Sequence, residues 1–160
     1  ARKNIERSIE RNVIVEEIND QTLEEYWILF NKYRISMKLL EVKKEELEDM
    51  WNSLRNFGFH GVIARNDDRV IGGLLFSSFN EYINEWGVAR SEEDYEEKLY
   101  AQDLIKWKII EWGVEHKMKW YDLSGVNPIP KTKKEEGILE YKKKWGGLQK
   151  NYWIVQGSHN

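Results

Sequence analysis

The chain contains no cysteine, which excludes a disulfide framework and any thiolate metal site and points to a reducing, cytoplasmic setting. Its three histidines, His60, His116 and His159, share no ligand spacing and no carboxylate cluster, so no metal is expected. No apolar run approaches the roughly 18 residues that a bilayer-crossing helix needs, and no signal-like leader opens the sequence. A soluble, at most peripheral, protein is the expectation. Excess positive charge is also missing: the formal net charge is −3, so a polyanion must be drawn by a local basic patch, and no DNA partner is expected. Ser124 lacks the Gly-x-Ser-x-Gly setting of a nucleophile elbow, so no catalytic triad is predicted.

What is present is the composition of a folded domain: 160 residues, 41% hydrophobic, with eight tryptophans. Residues 2 to 11 carry Ile5 and Ile9 at helical spacing, and Val13, Ile14 and Val15 form a β-branched run. Asp20 and Thr22 offer caps for a helix bearing Leu23, Tyr26, Trp27, Phe30 and Tyr33, and Lys43 to Arg55 reads as a second helix stopped at Gly58. Two strands, Phe59 to Arg65 and Val70 to Phe79, flank the turn Asn66-Asp67-Asp68-Arg69, with Gly72 and Gly73 marking a bulge or close approach. A third strand, Tyr82 to Val88, follows, then an acidic short helix or loop over 91 to 98.

The helix predicted over Tyr100 to His116 has one stripe of Ala101, Ile105, Ile109 and Trp112 and another of Trp107, Ile110 and Val114, so cover on two sides is expected. Lys119 to Leu123 reads as a short strand, Pro128 and Pro130 enforce an extended loop, Glu135 to Lys144 is a last helix stopped by Gly146-Gly147, and Asn151 to Gln156 a last strand. This order resembles the GNAT acyltransferase fold: an α/β (α+β) chain with a mixed, largely antiparallel twisted sheet flanked by helices. Residues 1–156 are expected to form one such domain, and 157–160 are set aside as an appended remnant.

Residues 99 to 147 carry a more specific pattern. Leu99-Tyr100 through Trp107 and Ile110, then Lys119-Trp120-Tyr121-Asp122-Leu123-Ser124-Gly125, then Gly137-Ile138 and Tyr141-Lys142-Lys143-Lys144-Trp145-Gly146-Gly147 resemble the signature of the FemABX peptidyltransferases. The opening Arg2 to Val15 resembles the segment entering the second GNAT-like domain of those enzymes. The resemblance implies aminoacyl transfer from aminoacyl-tRNA to an amine of a cell-wall precursor peptide, with a missing amino-terminal GNAT-like domain completing the site, so that this chain is a piece of a longer protein. Related acyltransferases of polysaccharide pathways share these motifs.

In the resemblance Lys142 matches the aromatic-Lys position implicated in catalysis, where an ammonium can offset oxyanion charge; the alternative is a solvated helix end favoured by the helix dipole. Asp122 ends a predicted strand, where it is a candidate to orient an amine or accept its proton, or simply to form an Asx turn with Ser124 and Gly125. Gly125 is expected to permit positive φ or close packing. Tyr141 and Trp145 are candidate substrate contacts or core. Lys134 belongs to a run of lysines, 131, 133, 134, 142, 143, 144 and 150, suited to a tRNA acceptor arm or to solvent. No cofactor is expected: Arg90 to Tyr100 contains no glycine and five acids, where an acetyl-CoA enzyme of this fold needs backbone amides to cradle pyrophosphate. A CoA-dependent N-acyltransferase and a non-catalytic binding module stand as the alternatives.

Overall fold

A computed structural model describes residues 1–151. The expected strand from Asn151 to Gln156 therefore lies outside the described residues beyond its first position. The chain divides into two compact units, Ala1–Ser124 and Gly125–Asn160.

The first unit runs α1 (Arg2–Glu10), β1 (Val13–Glu17), α2 (Leu23–Ser36), α3 (Lys44–Leu54), β2 (Phe59–Asn66), β3 (Arg69–Phe79), β4 (Tyr82–Arg90), α4 (Glu92–Glu96), α5 (Ala101–Glu115) and β5 (Trp120–Asp122). Its sheet has the order β1-β2-β3-β4-β5. Every neighbouring pair is antiparallel except β4 and β5, which run parallel over only three residues, from Tyr82 beside Trp120 to Asn84 beside Asp122. The mixed, largely antiparallel sheet between helices is the predicted one.

Alternation along the strands assigns the two faces. Tyr26 and Phe30 of α2 pack with Leu75 and Ala89, and Tyr26 donates its hydroxyl to the Gly87 carbonyl at 2.9 Å. A Cβ at Gly73 would meet the Tyr26 ring at 2.7 Å, and one at Gly72 would meet Ile105 of α5 at 3.1 Å, so both glycines serve close approach, one to each face. A register shift next to Gly72 leaves Ile71 as an extra residue in β3.

Two expectations need correction. α5 is covered on two sides only in its first half, where Ala101 to Lys106 are all buried; in the second half Trp107 and Val114 are exposed. Asp20 does not cap α2. Asn19 accepts the Gln21 and Thr22 amides instead, while Asp20 accepts from Trp51 at 3.2 Å and from Arg55, tying the loop to α3.

The second unit contains α6 (Lys133–Lys143), begun by Thr132, whose hydroxyl accepts the Glu135 amide at 3.2 Å. Glu135 reaches back to the Lys131 amide and to Asn127, and the former bond holds its carboxyl below the usual range. Gly146 takes φ 74 where the helix run ends. Among the described residues no helix is long and apolar enough to cross a membrane, and no group of three His, Asp or Glu is placed to hold a metal.

Candidate functional site

β5 alternates its side chains between the two faces. Tyr121 turns to the α5 face and donates its hydroxyl to Glu85 Oε1 at 2.8 Å. Trp120 and Asp122 turn to the α2 face, beside Tyr82 and Asn84. Asp122 Oδ1 accepts the Ser124 amide at 2.8 Å, the Asx turn weighed as the alternative to a catalytic role. Ser124, not Gly125, adopts positive φ, at 67°, because the carboxylate bond folds the chain back on itself. Gly125 departs from expectation: its φ is not positive and a Cβ there would meet nothing within 4 Å.

In the second unit the structure joins Lys142 and Gly125: the ammonium donates to the Gly125 carbonyl at 2.9 Å. Lys144 stands over the Tyr141 ring with its Nζ 4.0 Å from the centroid, a cation–π contact. Lys143 pairs with Glu140 at 3.0 Å. Trp145 is half-buried and its indole nitrogen has no hydrogen-bond partner among the described residues. Lys134 is exposed and makes no ion pair among the described residues.

A buried polar cluster in the first unit was missed by sequence reasoning. Lys106 of α5 donates to the same Glu85 oxygen that Tyr121 holds, and both charged side chains are nearly inaccessible. Ser124 Oγ reaches the Glu85 carbonyl at 3.5 Å. Glu85 is the first residue beyond the last β4–β5 pair, so this cluster joins β4, β5 and α5 where the two strands stop pairing. The signal was present: Glu85 lies two residues after buried Ile83, on the same inward register, and Lys106 lies between inward Ile105 and Ile109. One charge of each sign at inward positions predicts a pair, because neither is stable there alone.

The start of α5 was also legible in part. Asp94 is fully buried, and its Oδ1 accepts the Ala101 amide at 2.8 Å while Arg90 holds the other oxygen. Ser91 Oγ in turn accepts the Asp94 amide at 3.1 Å, a cap signalled by Ser91-x-x-Asp94. One residue on, Gln102 Nε2 donates to the Ala89 carbonyl at 2.7 Å. A cavity of about 340 Å³ elsewhere in this unit is lined by Trp51, Phe59, His60 and Trp112 among others and contains none of the predicted site residues.

β4 carries a bulge at Trp86, where Phe76 faces Glu85 and Leu75 faces Gly87. Trp86 thereby reaches the α2 face, with ring centroids 5.8 Å from Phe30 and 6.1 Å from Phe59. Arg34 lies over Phe30 at 5.3 Å.

With this geometry in place, known proteins give the comparison. A model of the FemAB family matches residues 38–152. FemX superposes with a TM-score of 0.77 at 13% identity, covering 91% of this chain and 52% of FemX. An aminoglycoside acetyltransferase from an uncultured soil metagenomic sample, in complex with sisomicin, gives 0.69 at 11% identity, covering 95% of this chain and 98% of that one. An acetyltransferase of the GNAT family from Staphylococcus aureus Mu50 gives 0.62 at 14% identity, covering 84% and 82%. These solved structures establish the GNAT-like fold. No curated protein sequence matches this chain.

Proposed function

The chain belongs to the FemAB family, whose model spans well over half of it, and from that premise we propose that it transfers an aminoacyl group from aminoacyl-tRNA to an amine of a cell-wall precursor peptide. Acyl transfer as a class follows from the family and the fold. In the proposed step the amine nitrogen attacks the donor ester carbonyl carbon. The bond from that carbon to the ribose oxygen breaks, and the ribose hydroxyl leaves carrying the proton that the amine gives up. No covalent enzyme intermediate is needed; the protein supplies position and charge.

Lys142 is assigned the developing oxyanion. Its Nζ donates to the Gly125 carbonyl, a backbone anchor that positions the ammonium. Asp122 orients the attacking amine. Its Oδ1 accepts the Ser124 amide, which fixes the carboxylate plane. Tyr141, Trp145, Gly125 and Lys134 are assigned to substrate contact around Lys142.

The observation that carries the choice of donor is Asp94. Acyl-CoA, the donor implied by the wider fold, would place its pyrophosphate on the amides that open α5. Those residues do not fit it: the Asp94 carboxylate already accepts the Ala101 amide from a fully buried position. A second anion there would have to displace the carboxylate from the Ala101 amide. This supports a donor without a pyrophosphate at α5, which an aminoacyl ester satisfies.

Transfer of a labelled amino acid from charged tRNA to a precursor peptide, measured with the full-length protein, tests the reading. Transfer that Lys142→Ala abolishes is expected; transfer unaffected by that change overturns the assignment. Calorimetry with acetyl-CoA provides the complementary test, and saturable binding tighter than roughly 100 μM would replace this donor with CoA.

A further inference from the structure

The cavity of about 340 Å³ in the first unit forms where β1 stops short of β2. The last residue pair between these strands is Glu17 with Val62, and the Ile18 amide donates to the Gly61 carbonyl at 2.8 Å. β2 reaches past that point to Phe59, so its first residues have no strand beside them on the β1 side among the described residues. Side chains from both faces of the sheet meet in the gap. Phe59 turns to the α2 face and meets Trp51 of α3 edge-on, with ring centroids 6.2 Å apart. His60 turns to the α5 face, 5.1 Å from Phe76 and 4.7 Å from Trp112. All five rings line the cavity. His116, outside the lining, stacks on Trp112 at 4.1 Å and so fixes that ring in advance of any ligand.

Four charged side chains also reach the wall, and three are compensated by partners: Glu16 by Arg65 at 2.6 Å, Lys108 by Glu111 at 2.8 Å, and Arg55 by Asp20. Glu17 makes no ion pair or side-chain hydrogen bond among the described residues. Burial holds His60 below its ordinary pKa, so at neutral pH it adds a ring and no positive charge. The wall is therefore aromatic, with one uncompensated carboxylate.

We propose that this cavity binds a compact alkylated ammonium ion, with Glu17 as its counter-ion. Aromatic rings attract a cation within about 6 Å of the centroid, tryptophan most strongly. Alkyl groups on the nitrogen match the apolar part of the wall, and the volume falls in the range of small-molecule sites. An anion is disfavoured by Glu17 and by the engagement of Arg55 and Lys108 with their own partners. The same engagement disfavours an ammonium that carries a phosphate, as a lipid headgroup does. Trp112 lies about three helical turns along α5 from Ala101, and the inference is independent of the transfer reading.

Binding is measured without turnover. The indole N–H signals of the chain are followed by ¹H–¹⁵N NMR during titration with choline chloride, and in parallel with sodium chloride, phosphocholine and 3,3-dimethylbutan-1-ol, which has the shape of choline without its charge. Trp51→Phe and Trp112→Phe assign the signals. The expected result is saturable movement of the Trp51 and Trp112 signals with choline at a Kd below roughly 10 mM, while the signal of Trp107, outside the lining, stays still. Glu17→Gln, a change at an exposed residue, is expected to weaken binding about tenfold. Trp112→Leu should do the same with Trp51 as the reporter, and Glu17→Gln decides the matter if Trp112→Leu fails to fold. No saturable movement with choline, equal movement with sodium chloride or with the neutral alcohol, or unchanged binding in Glu17→Gln overturns the proposal. Tighter binding of phosphocholine than of choline overturns the choice of a phosphate-free ion.

Discussion

The Asp94 carboxylate accepts the Ala101 amide at 2.8 Å, so α5 begins on an anion that belongs to the chain itself. Asp94→Ala removes a cap and leaves Arg90 without its buried partner, and a loss of about 2 kcal/mol in unfolding free energy is expected from urea titration. The same variant frees the Ala101 amide for an outside anion. Added pyrophosphate should therefore raise its melting temperature more than that of the parent chain; an equal rise in both would remove Asp94 from this role.

Glu85 and Lys106 form a buried ion pair. Lys106→Met strands a carboxylate in a dry site and is expected to cost about 3–5 kcal/mol, whereas Glu85→Gln with Lys106→Met together should cost clearly less than the two single losses added. A double-mutant cycle in chemical denaturation measures the difference.

His60 sits half-buried against Phe76 and Trp112, and burial pushes its pKa below the ordinary 6.5. The unfolded chain then takes up a proton at a pH where the folded one does not. Stability from this group is complete above pH 6.5 and declines as the pH falls from there toward the folded pKa. The melting temperature should drop between pH 7.5 and 5.5, values chosen about one unit either side of the histidine range, and His60→Phe should flatten that drop.

A Cβ at Gly87 would overlap the Tyr26 hydroxyl that donates to the Gly87 carbonyl. Gly87→Ala is expected to cost roughly 2 kcal/mol through overpacking. In a Tyr26→Phe background, where the hydroxyl is gone, the added methyl should cost less. Thermal melts of the four chains decide it.

The fold was legible because its signals are local. The turn at Asp67-Asp68, the glycines that admit α2 and α5, and the stripe on α5 beginning at Ala101 each declare themselves within a few residues. The errors arose where a distant partner decides the outcome. Asp20 reads as a cap in sequence, but Arg55 and Trp51 claim its carboxylate. Gly125 reads as the residue that turns the chain, but the Asp122 side chain lets Ser124 do so. Lys142 and Asp122 were singled out in the sequence through a motif, whereas the Glu85–Lys106–Tyr121 cluster depends on strand register and helix docking together. Only the inward placement of opposite charges hinted at it.

The bulge at Trp86 has an evolutionary reading. Before it, Ile83 and Glu85 face α5; after it, Gly87 and Ala89 face α2, as strict alternation from Glu85 would give if Trp86 were left out. Trp86 is thus spelled into the strand without occupying a place in its count. A lineage can replace or delete it without redirecting another side chain, so the chemistry presented on that face is free to drift while the buried half of the molecule stays under constraint.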